Sequence, residues 1–316
     1  MTFRHIFSRA ARSAMLNHFR IWRERGWTEI APADYAAAWA RFGGSVVTHP
    51  QIIERLSALA DIAPRYLGWF VEGELIAALS AWGRHLALSK AALKARGQKG
   101  LFDLGNAEII LPAACIPPGL PPPALRHSAR YLSGQCATRF SGLKKQREQL
   151  ALARPLADFS SKFRHNQRRE LRLLTEAGGI LRPVADFSPT EFAAIYLDLF
   201  VRRWGFAATG AKHMAEVFEL LAEFMTGSVV FLHDVPVAAQ VIYRVESPEW
   251  VSAEYINGGV DPSQRAFSPG SVLTWKNIEA AWADAVAKGK TLRYSFGRAD
   301  RDYKERWCTL HPVFEV

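Results

Sequence analysis

"SVVFLHDVPVAAQVIYRV", Ser228 to Val245, reads as two strands joined by a tight turn at His233-Asp234. Far upstream, "RYLGWFVEGELIAALSAWG", Arg65 to Gly83, has the same form, with its turn at Glu72-Gly73. The two return strands share a small-residue step, "IAALSAW" against "VAAQVIY". Each hairpin follows an aromatic stretch of helical period, "ADYAAAWARFGG" (33–44) in one case and "TEFAAIYLDLFVRRWG" (190–205) in the other. A helix-then-hairpin unit that occurs twice, roughly 160 residues apart, predicts an internal duplication. Between the copies, "ALARPLADFSSK" (151–162) restarts helical, basic character after a proline, which sets a boundary near Leu156. The expected domains are 28–155 and 156–316, preceded by a basic segment, 1–27.

The second copy continues in an alternating pattern. Helices are predicted over Ser161–Ala177, Pro189–Trp204, Lys212–Met225 and Pro269–Lys288, with strands at "WVSAEYI" (250–256) and "LRYSF" (292–296) around the hairpin. This is an α/β (α+β) chain with locally antiparallel strands. The 316 residues are 49% hydrophobic and 22% charged, enough for a large core in two domains. A formal charge of +10 favours an acidic partner: nucleic acid, an anionic membrane surface or a phosphorylated cofactor. Cys115, Cys136 and Cys308 are isolated and odd in number, so neither a disulfide framework nor a metal site is expected, and a reducing compartment suits them. The most apolar stretch is interrupted by Glu72 and Glu74, so no bilayer span is predicted.

The N-terminal segment lacks the continuous apolar run of a secretory signal and is expected to stay on the chain. Phe3, Ile6, Phe7, Ala10 and Ala14 form a stripe at helical spacing, flanked by Arg4, Arg9, Arg12, Arg20, Arg23 and Arg25. Such a helix either lies in an anionic membrane interface or docks on its own core with solvated arginines. "CIPPGLPPPALRH" (115–127) reads by its prolines as a stiff, extended loop, either a plain connector or a peptide-docking segment.

Three stretches carry candidate chemistry. In "FSPGSVL" (267–273) a serine, a proline and a glycine open the long helix. Ser268 reads as its N-cap, and the amides of Gly270, Ser271 and Val272 sit at the positive helix end, so the stretch is either a cap or an anion site. The basic helix "SSKFRHNQRRELRLLTEAGG" (160–179) puts Phe163, Gln167, Leu171 and Leu174 on one face and a file of Arg164, Arg168 and Arg172 on another. That file is screened by water or meets phosphate or carboxylate. "RYSFGRADRDYKERWC" (293–308) ends a strand in a glycine turn and a cluster of charged residues with Tyr303 and Lys304. Hydrolase, zinc-protease and P-loop motifs are absent, and no helix-turn-helix, finger or RNA-recognition pattern supports nucleic acid; DNA is not an expected partner.

"KFRHNQRRELRLLTEAGG", "YLDLFVRRWGF", "FSPGSVL" and "LRYSFGRADRDYKERW" occur in the order seen in FemAB-like and BioF2-like acyltransferases of the GNAT superfamily. With "RFGGSVVTHPQ", "RYLGWF", "KGLFDLGNAEIILP" and "EYINGGVDP", nearly the whole chain resembles the bacterial macrophage-inducible (Mig) family linked to antimicrobial-peptide resistance. The resemblance implies tandem GNAT-like domains, the first degenerate, with mixed, mostly antiparallel sheets flanked by helices. It also implies association with the cytoplasmic face of the inner membrane and acyl-coenzyme A or aminoacyl-tRNA as donor, without a metal. The acceptor would be an envelope component or a cationic peptide. A non-catalytic peptide- or lipid-binding resistance factor is the alternative.

In GNAT enzymes the loop entering this helix cradles the cofactor pyrophosphate, and "FSPGSVL" resembles it by position. The usual Q-x-x-G-x-G/A pattern is missing, however, since Gln264 is followed by Arg265, Ala266 and Phe267. By the same resemblance Lys304 and Arg164 would handle charged reacting groups in one cleft. Acyl transfer also needs a base and a proton donor, for which Glu254, acting through water from its strand, and Tyr303 are the candidates.

Overall fold

The structure, a computed structural model, describes residues 26–123, 125 and 130–316. The arginine-rich stripe at the N-terminus and part of the proline-rich connector lie outside the described residues.

The duplication is visible in the strand order. In the first half, β1 (Thr28–Ile30) leads through α1 (Pro32–Phe42) and α2 (Pro50–Leu59) to the hairpin β2 (Arg65–Val71) and β3 (Glu74–Trp82), then the short β4 (His85–Leu86). Two short helices follow, α3 (Lys90–Ala95) and α4 (Gly134–Arg139), and then β5 (Lys144–Ala153). The second half opens with α5 (Ser161–Glu176) and repeats the scheme. β6 (Gly179–Pro183) leads through α6 (Pro189–Trp204) and α7 (Met214–Leu220), past β7 (Met225–Thr226), to the hairpin β8 (Ser228–Leu232) and β9 (Val235–Glu246). It ends with β10 (Trp250–Val260), α8 (Pro269–Ala287), β11 (Thr291–Arg298) and β12 (Cys308–Glu315).

The runs β1-β2-β3 and β6-β8-β9 have the same order and are antiparallel throughout. Both hairpin turns use two residues at positive φ, Glu72 (51°) with Gly73 (83°) and His233 (50°) with Asp234 (63°), the geometry that matches strand twist. Beyond β3, the Ala78 amide donates to Pro112 O at 2.8 Å and the Ala114 amide to Ile76 O at 2.8 Å, so residues 112–114 lie beside β3 as β10 lies beside β9.

The halves are not separate bodies. β5 precedes the expected boundary at Leu156 in sequence, yet it is inserted between β11 and β12 in an eight-stranded sheet ordered β12-β5-β11-β10-β9-β8-β6, with β7 as the eighth strand, also paired to β9. One apolar core joins Tyr35, Trp39, Ile52, Leu56 and Leu79 to Phe192, Phe218 and Tyr243. The predicted helix Pro189–Trp204 forms as expected, closed by a Ser188/Glu191 capping box and a left-handed Gly205. The predicted helix over Lys212–Met225 is instead broken into a 3-10 turn at Ala211–His213, α7, and a second 3-10 turn at Ala222–Phe224.

Candidate functional site: an arginine-lined cleft where two strands part

β10 and β11 are the parallel pair among the described strands, and they stay paired only from Trp250↔Thr291 to Glu254↔Ser295. Past that point β10 bulges between Tyr255 and Asn257 and continues along β9, while β11 turns to β5. The strands part, and a cleft of about 490 Å³ opens where they diverge, lined by Tyr255 and Phe296 from the two strands and by Ser268, Gly270 and Ser271 from the entry to α8. Arg203, Arg265 and Arg306 also line it, and no carboxylate does. Arg203 donates to Gly258 O at 3.0 Å and stacks on Trp204, whereas Arg265 and Arg306 are exposed and make no ion pair among the described residues. The field in the cleft is therefore positive.

The helix entry is built differently from the expectation. Ser268 adopts a left-handed conformation (φ 49°, ψ 41°), and its side chain caps nothing. Its carbonyl accepts from the amides of Ser271 at 2.9 Å and Val272 at 3.0 Å, and its own amide donates to Arg265 O at 3.2 Å. With Pro269 lacking an N–H, Gly270 is the remaining amide of the loop, so there is no bare cradle of amides. Gly270 has a packing reason as well, since a Cβ there would meet Val260 Cγ2 at 2.8 Å. Val272 is buried behind the cleft. Positive charge reaches the site mainly through arginine side chains. A buried chain of hydrogen bonds supports the floor: Asn277 Nδ2 donates to Gln240 Oε1 at 2.8 Å, Gln240 Nε2 to Thr274 Oγ1 at 2.7 Å, and Thr274 Oγ1 to Gly270 O at 2.8 Å.

The other expected residues scatter around this cleft. Tyr303 lines it and also an adjoining polar cavity, and burial raises its phenol above the ordinary value, with neighbouring Tyr255 adding to the rise. Lys304 lines only the polar cavity, where Nζ donates to Arg298 O at 2.5 Å and pairs with Asp300 at 3.1 Å.

Arg164 is elsewhere. Its guanidinium donates to the carbonyls of Leu156, Ala157 and Phe159 at 3.3, 3.2 and 2.7 Å, tying α5 to the turn before it, and it lines neither cavity. The expected meeting of Lys304 and Arg164 in one cleft does not occur. Arg168 is exposed on α5, also away from both cavities, and Arg172 pairs with Glu176 at 3.7 Å.

Glu254 corrects another expectation. Expected to act through water from its strand, it is 1% exposed at the apex of the split. Oε1 accepts from Ser295 Oγ at 2.7 Å and Oε2 from the Glu108 amide at 3.1 Å. Burial raises its pKa well above the usual carboxylate range, against the lowering effect of those two bonds, while the Glu108 charge adds to the rise. This carboxyl orders the apex.

Sequence reasoning missed the contribution of the first half. Residues 102–108 wedge into the split: a Cβ on Gly105 would lie 3.8 Å from Ile256 Cα, and one on Gly297 would lie 3.3 Å from Asn106 O. Glu108, 1% exposed, forms a bidentate ion pair with Arg293 of β11. Asp103 and Asn106 thereby become walls of the polar cavity. The only sequence signal was that "KGLFDLGNAEIILP" belongs to the family pattern.

The Mig-14 family model matches residues 49–316, a span that includes the wedge, both hairpins, the cleft and β12. The chain belongs to the Mig-14 family. No curated protein matches this Mig-14 sequence. Among solved structures, FemX is similar at 10% identity over 92% of this chain and 97% of its own, with a TM-score of 0.51. A tandem GNAT protein from the clavulanic acid biosynthesis pathway matches at 11% identity over 91% and 96%, with a TM-score of 0.45. L-PGS from Bacillus licheniformis matches at 14% over 90% and 91%, with a TM-score of 0.43. The FemX likeness and the repeated strand order together give the Mig-14 chain a tandem GNAT-like α/β fold, with mostly antiparallel sheets flanked by helices.

Proposed function

We propose that this Mig-14 protein is a GNAT-type transferase that moves an acyl or aminoacyl group from an anionic donor, acyl-coenzyme A or aminoacyl-tRNA, to an amine or hydroxyl. The observation that carries this reading is the strand split lined by Arg203, Arg265 and Arg306 with no carboxylate. Phosphates of either donor are the anions such a cleft favours. In the reaction an acceptor amine attacks the donor carbonyl, a C–N bond forms and the C–S or C–O bond of the donor breaks. The amine proton goes to water, the leaving thiolate or ribose oxygen takes a proton from Tyr303, which stands where the cleft meets the polar cavity, and water returns a proton to the phenolate. Glu254 and Lys304 act as positioning residues: one fixes the split, the other the turn from Arg298 to Lys304.

The acceptor in this proposal is an envelope component or a cationic peptide, and its modification lowers peptide toxicity at the cytoplasmic face of the inner membrane. Residues 1–27 supply the anionic-membrane contact. Among the described residues, no helix is long and apolar enough to cross a membrane, and no cluster of His, Cys, Asp and Glu could hold a metal ion. The experiment incubates purified protein with radiolabelled acetyl-coenzyme A or aminoacyl-tRNA and with envelope lipid or cationic peptide. Label in the acceptor that depends on Tyr303 supports transfer.

A second reading, a non-catalytic peptide- or lipid-binding resistance factor, is favoured by one specific observation. The Ser271 and Val272 amides at the helix entry are occupied, which leaves that of Gly270, and Glu254 is buried away from the cleft. Resistance retained in Tyr303→Phe, with no label transferred by the wild type, selects this reading over the first.

A further inference from the structure

On the other side of the β10 bulge lies a cavity of about 240 Å³ whose walls are unusually aromatic: Phe102, Tyr196, Phe200, Trp204, Phe206 and Phe218. Phe200, Trp204 and Phe206 form a triangle with ring centroids 5.7 to 6.4 Å apart. Phe206 is 61% exposed at its edge. An aromatic cavity takes an apolar group.

The polar groups around it are mostly donors. Trp204 Nε1 is buried and has no hydrogen-bond partner. An indole N–H can only donate, and leaving it unpaired costs free energy until an acceptor arrives. Arg301 is exposed and has no ion pair among the described residues. Asn257 uses Oδ1 to accept from the Gly258 amide at 2.9 Å, which leaves its NH₂ as a donor. These three residues line the aromatic cavity, and Trp204, Asn257 and Arg301 also line the polar cavity next to it, so the donors stand where the two meet. One carboxylate, Asp103, is also shared by both. Its Oδ1 is occupied by Lys90 at 2.9 Å and by the Gly105 amide at 2.8 Å, and Lys90 offsets its charge.

We propose that this paired cavity binds a ligand with an apolar group and an oxyanion head, a carboxylate or a phosphate. The apolar group enters among the aromatic rings, and the head accepts from Trp204 Nε1, Asn257 Nδ2 and Arg301. The proposal assigns the acceptor side of the transferase described above and to that extent rests on that reading. It names an acceptor that is itself an apolar anion, and the reacting amine or hydroxyl would lie in the polar cavity toward Tyr303.

The test is calorimetric titration of the full chain with n-decanoate and n-decyl phosphate, each against decan-1-ol and decylamine as heads without the anion. The expected result is saturable binding of at least one anion, at least about tenfold tighter than decanol or decylamine. Trp204→Phe, which keeps the ring and removes the donor, and the exposed Arg301→Gln should each weaken the anion by about tenfold and leave decanol unchanged. Tighter decanoate would point to a fatty acyl or peptide carboxylate, tighter decyl phosphate to a phosphorylated lipid. Decylamine bound as tightly as either anion, or anion binding unaltered in both variants, overturns the proposal. Acetyl-coenzyme A is titrated into the same preparation. Anion binding without any donor binding sustains this cavity assignment while removing the transferase reading, and donor binding without anion preference does the reverse.

Discussion

The stretch that follows each hairpin is used in opposite ways in the two halves. After β9, the strand β10 runs to a 19-residue helix, α8, whose entry faces an open, arginine-lined cleft. After β3, residues 112–114 occupy the corresponding place and the helix that follows, α4, has six residues. Its cap is a working one: Ser133 Oγ accepts from the Gln135 amide at 3.2 Å and also from Arg293 at 3.3 Å, and the Ser133 amide donates to Ile109 O at 2.9 Å. The second half holds the arginine-lined split, and the first half places residues 102–108 against it and β5 in its sheet. The first half thus contributes walls to a cavity that lies mainly in the second.

The largest expected effect tests that contribution. Arg293→Met leaves the Glu108 carboxylate buried and unpaired, which should cost about 3–5 kcal/mol of unfolding free energy, and adding Glu108→Leu should recover much of it. Urea unfolding measures both; a loss under about 1 kcal/mol would mean the halves stand independently.

Next comes the apex of the split. Because the folded-state pKa of Glu254 is raised, the folded protein holds that proton more tightly than the unfolded chain. Stability should therefore fall as pH rises through the unfolded value of about 4.3 and continue falling until the folded carboxyl ionises. Glu254→Gln should flatten this decline and be the more stable protein at pH 8. A steeper decline in the variant would contradict the raised pKa of the buried carboxyl.

Arg164→Ala removes three bonds to carbonyls and should cost about 1–3 kcal/mol while leaving donor affinity unchanged. Donor affinity lost with stability intact would return Arg164 to the site. The smallest effects contrast the two helix entries. Ser133→Ala should cost about 1 kcal/mol, since a cap is lost, whereas Ser268→Ala should change stability by only a few tenths. Thermal unfolding of both variants, compared at one pH, sharpens the contrast; equal costs would erase it.

Much of this was legible in the chain. The turns at Glu72-Gly73 and His233-Asp234 and the small-residue return strands marked the duplication, because hairpin register depends on local residues. Tyr303, Ser268, Gly270 and Ser271, singled out in the sequence, line the split because they sit on the turn and the helix entry that border it. Arg203, Arg265 and Arg306 were not, since each is an ordinary charged residue on its own element and only the fold brings them together. The roles expected for Glu254 and Arg164 failed for a related reason: alternation along a strand does not show that both sheet faces are covered, and a file of arginines on a helix does not show which carbonyls lie below it. Ser268 looked like a cap because sequence does not report that its backbone is left-handed.

The central claim is that the split between β10 and β11 binds an anionic donor through its arginines. Isothermal titration of the wild type and of Arg265→Glu/Arg306→Glu with acetyl-coenzyme A and with aminoacyl-tRNA tests it directly. The account predicts saturable wild-type binding to at least one donor, weakened by rising salt, and a loss of at least about a hundredfold in the double variant, about tenfold for each charge reversed. Absence of binding for both donors in the wild type, or an unchanged affinity in a folded double variant, would contradict it.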